Sequence, residues 1–321
     1  MNSIRNWLLS SAFMCIVMIF IGGFTRLSDA GLSIVEWKPV TGILPPLSDG
    51  AWVEEFAKYQ STPEYLLVNR HMDIGAFKKI FLIEYTHRIA ARLTGIIICL
   101  PLIFFYISGR LPFRQNKSYL LMPLLLFAQG FMGWYMVKSG LKLEPHVSHF
   151  RLSAHLMLAV ALYSVILWKL FYQECRERNL QKQVLGFIAL TSIYIQMFLG
   201  GLVAGLDAGL IYNTFPLMGD SFIPEEFRSS SIIAMWSDPS SVQFLHRCGA
   251  YVVTICSVAF AWSLKTRTEL WIAGLWIVIA VAVQVLTGIA TLLLVVPISL
   301  ALLHQLLAVA LLSSVLYALT A

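Results

Sequence analysis

Apolar runs separated by short polar stretches predict eight helices that cross a bilayer. A span needs about 20 apolar residues. Such runs fall near 7–25, 80–107, 119–138, 152–172, 183–205, 242–264, 271–295 and 299–320. The first run is too long for the core of a cleaved signal and no small-x-small site follows it, so it reads as a span. The connection 26–79 is the longest. It carries Trp37, Trp52, Phe56 and Tyr59 among mixed charges. Loops of this length are functional or disordered. The aromatics favour an ordered cover on the outer surface, or an interfacial belt.

The pattern repeats. IFIGGFTRLSDAGL (19–32) ends the first span and MFLGGLVAGLDAGL (197–210) ends the fifth, with seven identities at one offset. THRIAARLTG (86–95) in the second span is matched by LHRCGAYVVT (245–254) in the sixth, and AQGFMG (128–133) in the third by VQVLTG (283–288) in the seventh. HLMLAVAL (155–162) in the fourth is matched by HQLLAVAL (304–311) in the eighth. Four spans per unit is an even number, so the halves point the same way, as in parallel repeats of transporters. The expected fold is an all-α integral membrane protein of eight transmembrane helices, built as two tandem four-helix bundles. One half is 1–172 with the outer loop 26–79, and the other is 183–321.

Composition agrees. Of 321 residues 58% are hydrophobic and 12% charged, against about 25% charged in soluble domains. The net charge of +6 is a topology signal, and no nucleic-acid partner is expected. Arg110, Arg114 and Lys117, then Lys169, Arg176, Arg178 and Lys182, then Lys265 and Arg267, lie in alternate connections. The 206–240 loop has Arg228 as its one basic residue, with Asp207, Asp220, Glu225, Glu226 and Asp238. The positive-inside rule then puts both termini in the cytoplasm. The 26–79 loop has six basic and seven acidic residues, and long loops cross largely regardless of charge. Of the five cysteines, Cys15, Cys99, Cys248 and Cys256 fall in spans and Cys175 in a cytoplasmic loop. No outer disulfide is expected. No CxxC or CxxCH occurs, which argues against structural zinc and covalent haem.

Candidate chemistry centres on four histidines. His71, His146 and His149 fall in outer loops and are read as solvated. His87, His155, His246 and His304 sit one each in spans two, four, six and eight, a turn or two past the predicted starts. They therefore lie at one depth near the outer face. A lone membrane histidine usually bonds a neighbouring helix. Four at one level, paired by a repeat, point to metal or haem ligation. Zinc wants three or four protein ligands, whereas bis-imidazole haem needs two on facing helices of a bundle core. Two halves imply two haem sites. Arg88 and Arg247 directly follow His87 and His246 and are candidate partners of haem propionates. Arg26 and Arg151 lie at the same face and are read as snorkelling. The halves differ at one place: Glu84 stands three residues before His87, Gln243 three before His246. A carboxylate can move a proton or stabilise positive charge, and an amide cannot. The alternative for Glu84 is an exposed acid at a helix end.

EYTHR (84–88), LDAGLIYNTFPLMGD (206–220), QFLHR (243–247) and the two HxxLAVAL segments resemble the haem A synthase family. The resemblance covers nearly the whole chain. It implies oxidation of the C8 methyl of haem O to a formyl group, giving haem A for terminal oxidases. It also implies a b-type haem ligated by His246 and His304, with substrate haem O bracketed by His87 and His155. Glu84 matches the family's functional glutamate. The long first loop looks like the proteobacterial and mitochondrial branch, and the outer-loop cysteine pair of some bacterial members is absent. Implied partners are the bilayer, haem O synthase, an electron acceptor or donor and a second copy of the chain. The implied location is a bacterial inner membrane. Two other classes fit parts of the pattern: a di-haem b-type electron-transfer cytochrome, and a transporter or haem carrier.

Overall fold

The computed structural model describes residues 2–38, 42–141, 145–172, 180–265 and 268–320. Arg176, Arg178, Cys175 and Arg267 lie outside the described residues. The chain is all-α. Among the described residues the extended pairing is an isolated bridge between Met218 and Ser221.

Among the described residues eight helices are long and apolar enough to cross a membrane. They are α1 (Asn2–Leu27), α4 (Ile74–Ile107), α5 (Leu121–Gly140), α6 (His149–Phe171), α7 (Leu180–Gly205), α9 (Pro239–Ser263), α10 (Thr268–Leu293) and α11 (Ile298–Thr320). Outside them lie α2 (Asp49–Gln60), α3 (Pro63–Leu67) and α8 (Glu225–Ser229). In lipid every backbone polar group must be satisfied within the segment, so apolar runs become helices. Local signals set the starts. Asp73 caps α4 on the Ala76 amide at 2.7 Å and Asp238 caps α9 on the Ser241 amide at 2.7 Å, with Pro239 at the first turn. Pro there lacks only an N–H that has no helical partner.

Helix contacts run α1–α4–α5–α6 and back to α1, and α7–α9–α10–α11 and back to α7. The two rings meet through α6 on α7 and α11 on α1 and α6. Buried Leu8, Ala12, Cys15, Val160, Tyr163, Ile193, Leu312 and Leu316 form part of one apolar core. Inside it Tyr163 pairs with Ser313 at 2.8 Å between α6 and α11.

The α4 start differs from the sequence expectation. The apolar run begins near 80, but the helix begins at Ile74. The added turns carry Phe77 and Phe81 into a cluster with Tyr59, Trp52 and Phe56 of α2. Burying large aromatic rings, roughly 2 kcal/mol or more each, extends the helix past the membrane run. His87 therefore lies more than three turns into α4, while His155, His246 and His304 lie within two turns of their helix starts. The described residues of the 26–79 connection contain α2 and α3 and pack onto α4 through Trp52, Phe56 and Tyr59.

Candidate functional site

Glu84 is 3% exposed, so it is no solvated helix-end acid. Four donor contacts converge on its carboxylate. Oε2 accepts from Ser33 Oγ at 2.7 Å and the Ile34 amide at 2.9 Å, and Oε1 from Arg88 Nη2 at 2.6 Å and Nε at 3.1 Å. Arg88 lies one turn on, where i and i+4 side chains meet. It also donates to the carbonyls of Ile34 at 2.8 Å and Glu36 at 2.9 Å. The first loop is thus sewn to α4 at the level of His87.

The second ring has the same stitching with a neutral centre. Gln243, also 3% exposed, donates to the Tyr212 carbonyl at 3.0 Å. Arg247 donates to the carbonyls of Tyr212 at 2.9 Å and Thr214 at 2.9 Å. Acceptors Ile34 and Glu36 match Tyr212 and Thr214 at the spacing that relates Asp29 to Asp207. Those two aspartates both adopt left-handed backbone, φ 46° and 50°. Asp tolerates that region better than most residues because its short side chain bonds locally. Arg26 joins the pair, donating to Asp29 at 2.9 Å and to Asp207 at 2.8 and 2.9 Å. It is paired rather than snorkelling. Arg151 donates to the Tyr135 carbonyl at 2.8 Å and lies 3.6 Å over its ring.

The structure brings the four membrane histidines together in two pairs. Each pair sits on helices diagonal within its ring, α4 with α6 and α9 with α11. His246 and His304 have ring centres 6.5 Å apart. Imidazoles on opposite sides of one metal, at about 2 Å per bond, place their ring centres roughly 6 Å apart. In the first ring His87 faces Gly22 and His155 faces Gly133 of neighbouring spans. The Nδ1 atoms of His155 and His304 are buried without a hydrogen-bond partner, as suits groups that take a ligand. The donor set at His246 and His304 therefore fits a bis-histidine haem site, and the first ring offers the matching residues His87 and His155 on α4 and α6.

His71 and His146 are exposed as expected. His149 is not simply solvated. It opens α6 half-buried, 3.3 Å from Ser237 Oγ and against Gly205.

A sequence model of the family described as cytochrome oxidase assembly protein matches residues 5–316. The chain belongs to that family. It is 48% identical over 326 residues to a heme A synthase of Rickettsia bellii, covering 98% of this chain and 97% of that one. It is 47% identical to the heme A synthase of Rickettsia canadensis and 46% identical to that of Rickettsia conorii, each over 98% of this chain and 96% of the relative. The matched residues include both rings and the first outer loop.

Residue reading missed several of this family member's site groups. Ser33 and the Ile34 amide meet Glu84 across some fifty residues of chain. Gln129, Gln196 and Gln284 each lie against a membrane histidine. A signal for the glutamines is present: each stands four residues before a glycine, in QGFMG, QMFLG and QVLTG.

Proposed function

We propose that the chain is a haem A synthase that oxidises the C8 methyl of haem O to a formyl group. The observation that carries this reading is the inequality of Glu84 and Gln243 at otherwise matched positions, within a chain nearly half identical to heme A synthases. Residues 1–172 form the substrate half and 183–321 the redox half of a tandem parallel repeat. The matched stitching of Arg88 and Arg247 supports that division.

His87 and His155 bracket the iron of the substrate haem O. His246 and His304 hold haem b, which supplies one-electron redox chemistry when bound. The methyl is oxidised in two successive two-electron steps, each releasing protons and passing electrons to an external acceptor. Water adds oxygen, and the resulting diol dehydrates to the aldehyde. Glu84, buried beside His87, accepts protons or stabilises positive charge at the methyl carbon. Ser33 and the Ile34 amide of the first loop hold its carboxylate in place. Arg88 gives most of its donors to Glu84 and to loop carbonyls, and so acts first by positioning that carboxylate. Arg247 keeps a buried Nε without a partner, a donor suited to a propionate.

The protein sits in a bacterial inner membrane with both termini cytoplasmic, which the basic turn at Arg110 and Arg114 supports. Haem O synthase is the expected source of substrate, and a homo-oligomer is compatible with the lipid-facing apolar surface.

Haem extracted from protein purified from cells with and without haem O synthase tests the reading. Haem B accompanied by haem O or haem A, the latter two lost without that enzyme, is the expected result. Haem B alone, near two per chain in both strains, would instead make the chain a di-haem electron-transfer cytochrome.

A further inference from the structure

Each membrane histidine faces a glycine on the preceding span. A Cβ built on Gly133, Gly200 or Gly288 would lie 3.0, 3.2 or 2.8 Å from the ring of His155, His246 or His304. Four residues earlier, one turn up the same face, stands a glutamine. Gln129 Nε2 is 3.3 Å from His155 Nε2, Gln284 Nε2 is 3.4 Å from His304 Nε2, and Gln196 Nε2 is 3.1 Å from His246 Nδ1. Gln196 is further anchored on the His246 carbonyl at 2.8 Å. All three amide oxygens are buried and have no hydrogen-bond partner. An imidazole that gives one nitrogen to a metal keeps a hydrogen on the other, and that N–H needs an acceptor. The unpartnered amide oxygens of Gln129 and Gln284 are the acceptors at hand, whereas Gln196, held by its Nε2 on the His246 carbonyl, fixes that ring by contact. A turn of the terminal amide of Gln129 or Gln284 brings oxygen to the ring.

The fourth place departs from this. Gly22 faces His87, with Nε2 3.8 Å from a built Cβ. The residue four before it is Met18. A thioether accepts hydrogen bonds only weakly. Among the described residues His87 has no side-chain hydrogen bond.

We propose that Gln129, Gln196 and Gln284 are positioning residues that fix the ring planes of His155, His246 and His304, and that Met18 leaves His87 unfixed as the ligand through which haem exchanges. This rests on the reading that these histidines ligate haem. It assigns the looser site to the half that must admit one haem and release another. A resident redox haem gains from two fixed ligands, whereas a substrate haem held that way would leave slowly.

The test uses the full-length protein with Gln196→Leu, Gln284→Leu, Gln284→Glu and Met18→Gln. Readouts are haem retained per chain, the low-spin electron-paramagnetic spectrum and the midpoint potential of the resident haem. Losing the acceptor makes the imidazole a poorer donor to ferric iron. Gln284→Leu should therefore raise the potential and weaken haem affinity about 10- to 100-fold, and Gln196→Leu, which frees the ring of His246, should broaden the low-spin spectrum and lower haem retention. Gln284→Glu keeps an acceptor and should restore affinity. Met18→Gln should slow loss of haem from the first half without moving the potential of the other. Leucine variants with wild-type spectrum, potential and retention, or Met18→Gln with unchanged haem loss, would overturn the proposal while leaving the function standing. Wild-type protein lacking histidine-ligated haem would overturn both.

Discussion

Arg88 grips the Glu84 carboxylate through Nη2 at 2.6 Å and Nε at 3.1 Å, one helical turn away and almost out of water. The two groups act as a unit. Their shared tie to Ile34, whose amide bonds Glu84 and whose carbonyl bonds Arg88, makes the first outer loop part of the site.

Glu84→Gln keeps the shape and removes the carboxylate that Gln243 already lacks in the other ring. Conversion of haem O to haem A should fall about 100-fold or more, the usual size of a lost acid–base group. Haem bound through His246 and His304 should be unchanged. Chromatography of extracted haems checks both, and full conversion by the variant would remove Glu84 from the chemistry.

Arg88→Leu should harm the fold more than Glu84→Gln. It strands a buried carboxylate, at a cost of about 3–5 kcal/mol. The double variant Glu84→Gln with Arg88→Leu should recover part of that loss, because the stranded charge is gone. Thermal unfolding in detergent, compared across the cycle, reads the coupling. Additive losses would mean that the pair is not a unit.

Gly288→Ala should expel haem from the second half. Its Cβ would stand 2.8 Å from the His304 ring, a contact real Cβ atoms do not make. Gly22→Ala meets His87 at an ordinary 3.8 Å and should be tolerated. The ratio of haem retained in these two variants is the measurement.

Glu64 gives the outer cover a pH dependence. Burial raises its carboxyl from 4.5 to about 7, with the Tyr59 hydroxyl opposing that shift and the charges of Asp29 and Glu84 adding to it. The folded cover thus binds more protons than the unfolded one between pH 4.5 and 7. Stability is present in full below the unfolded value and falls as pH rises through that window, by up to about 3 kcal/mol. Hydrogen exchange in α2 and α3 should quicken from pH 5 to 8 beyond the intrinsic rate. Glu64→Gln should flatten the added dependence.

Much of the architecture was legible in the chain itself. Lipid offers no hydrogen bonds to the backbone, so each apolar run had to close its own bonds as a helix. The placing of one histidine in each of four spans follows from those runs, and the resemblance to haem A synthases from EYTHR, QFLHR and their neighbours. What only the tertiary structure decided lies where distant segments meet. Apolar periodicity is a local property and says nothing about which loop atom will face a given helix. Whether Glu84 was a solvated acid or a buried one turned on the first loop folding back, with Ser33 and Ile34 as donors and the aromatic cluster of Tyr59, Phe77 and Phe81 holding it down. The same cluster carried α4 beyond its apolar run. The ties of Arg26 to Asp207 and of His149 to Ser237 join segments far apart in sequence. Their partners are chosen by the packing of the two rings, which no single segment encodes.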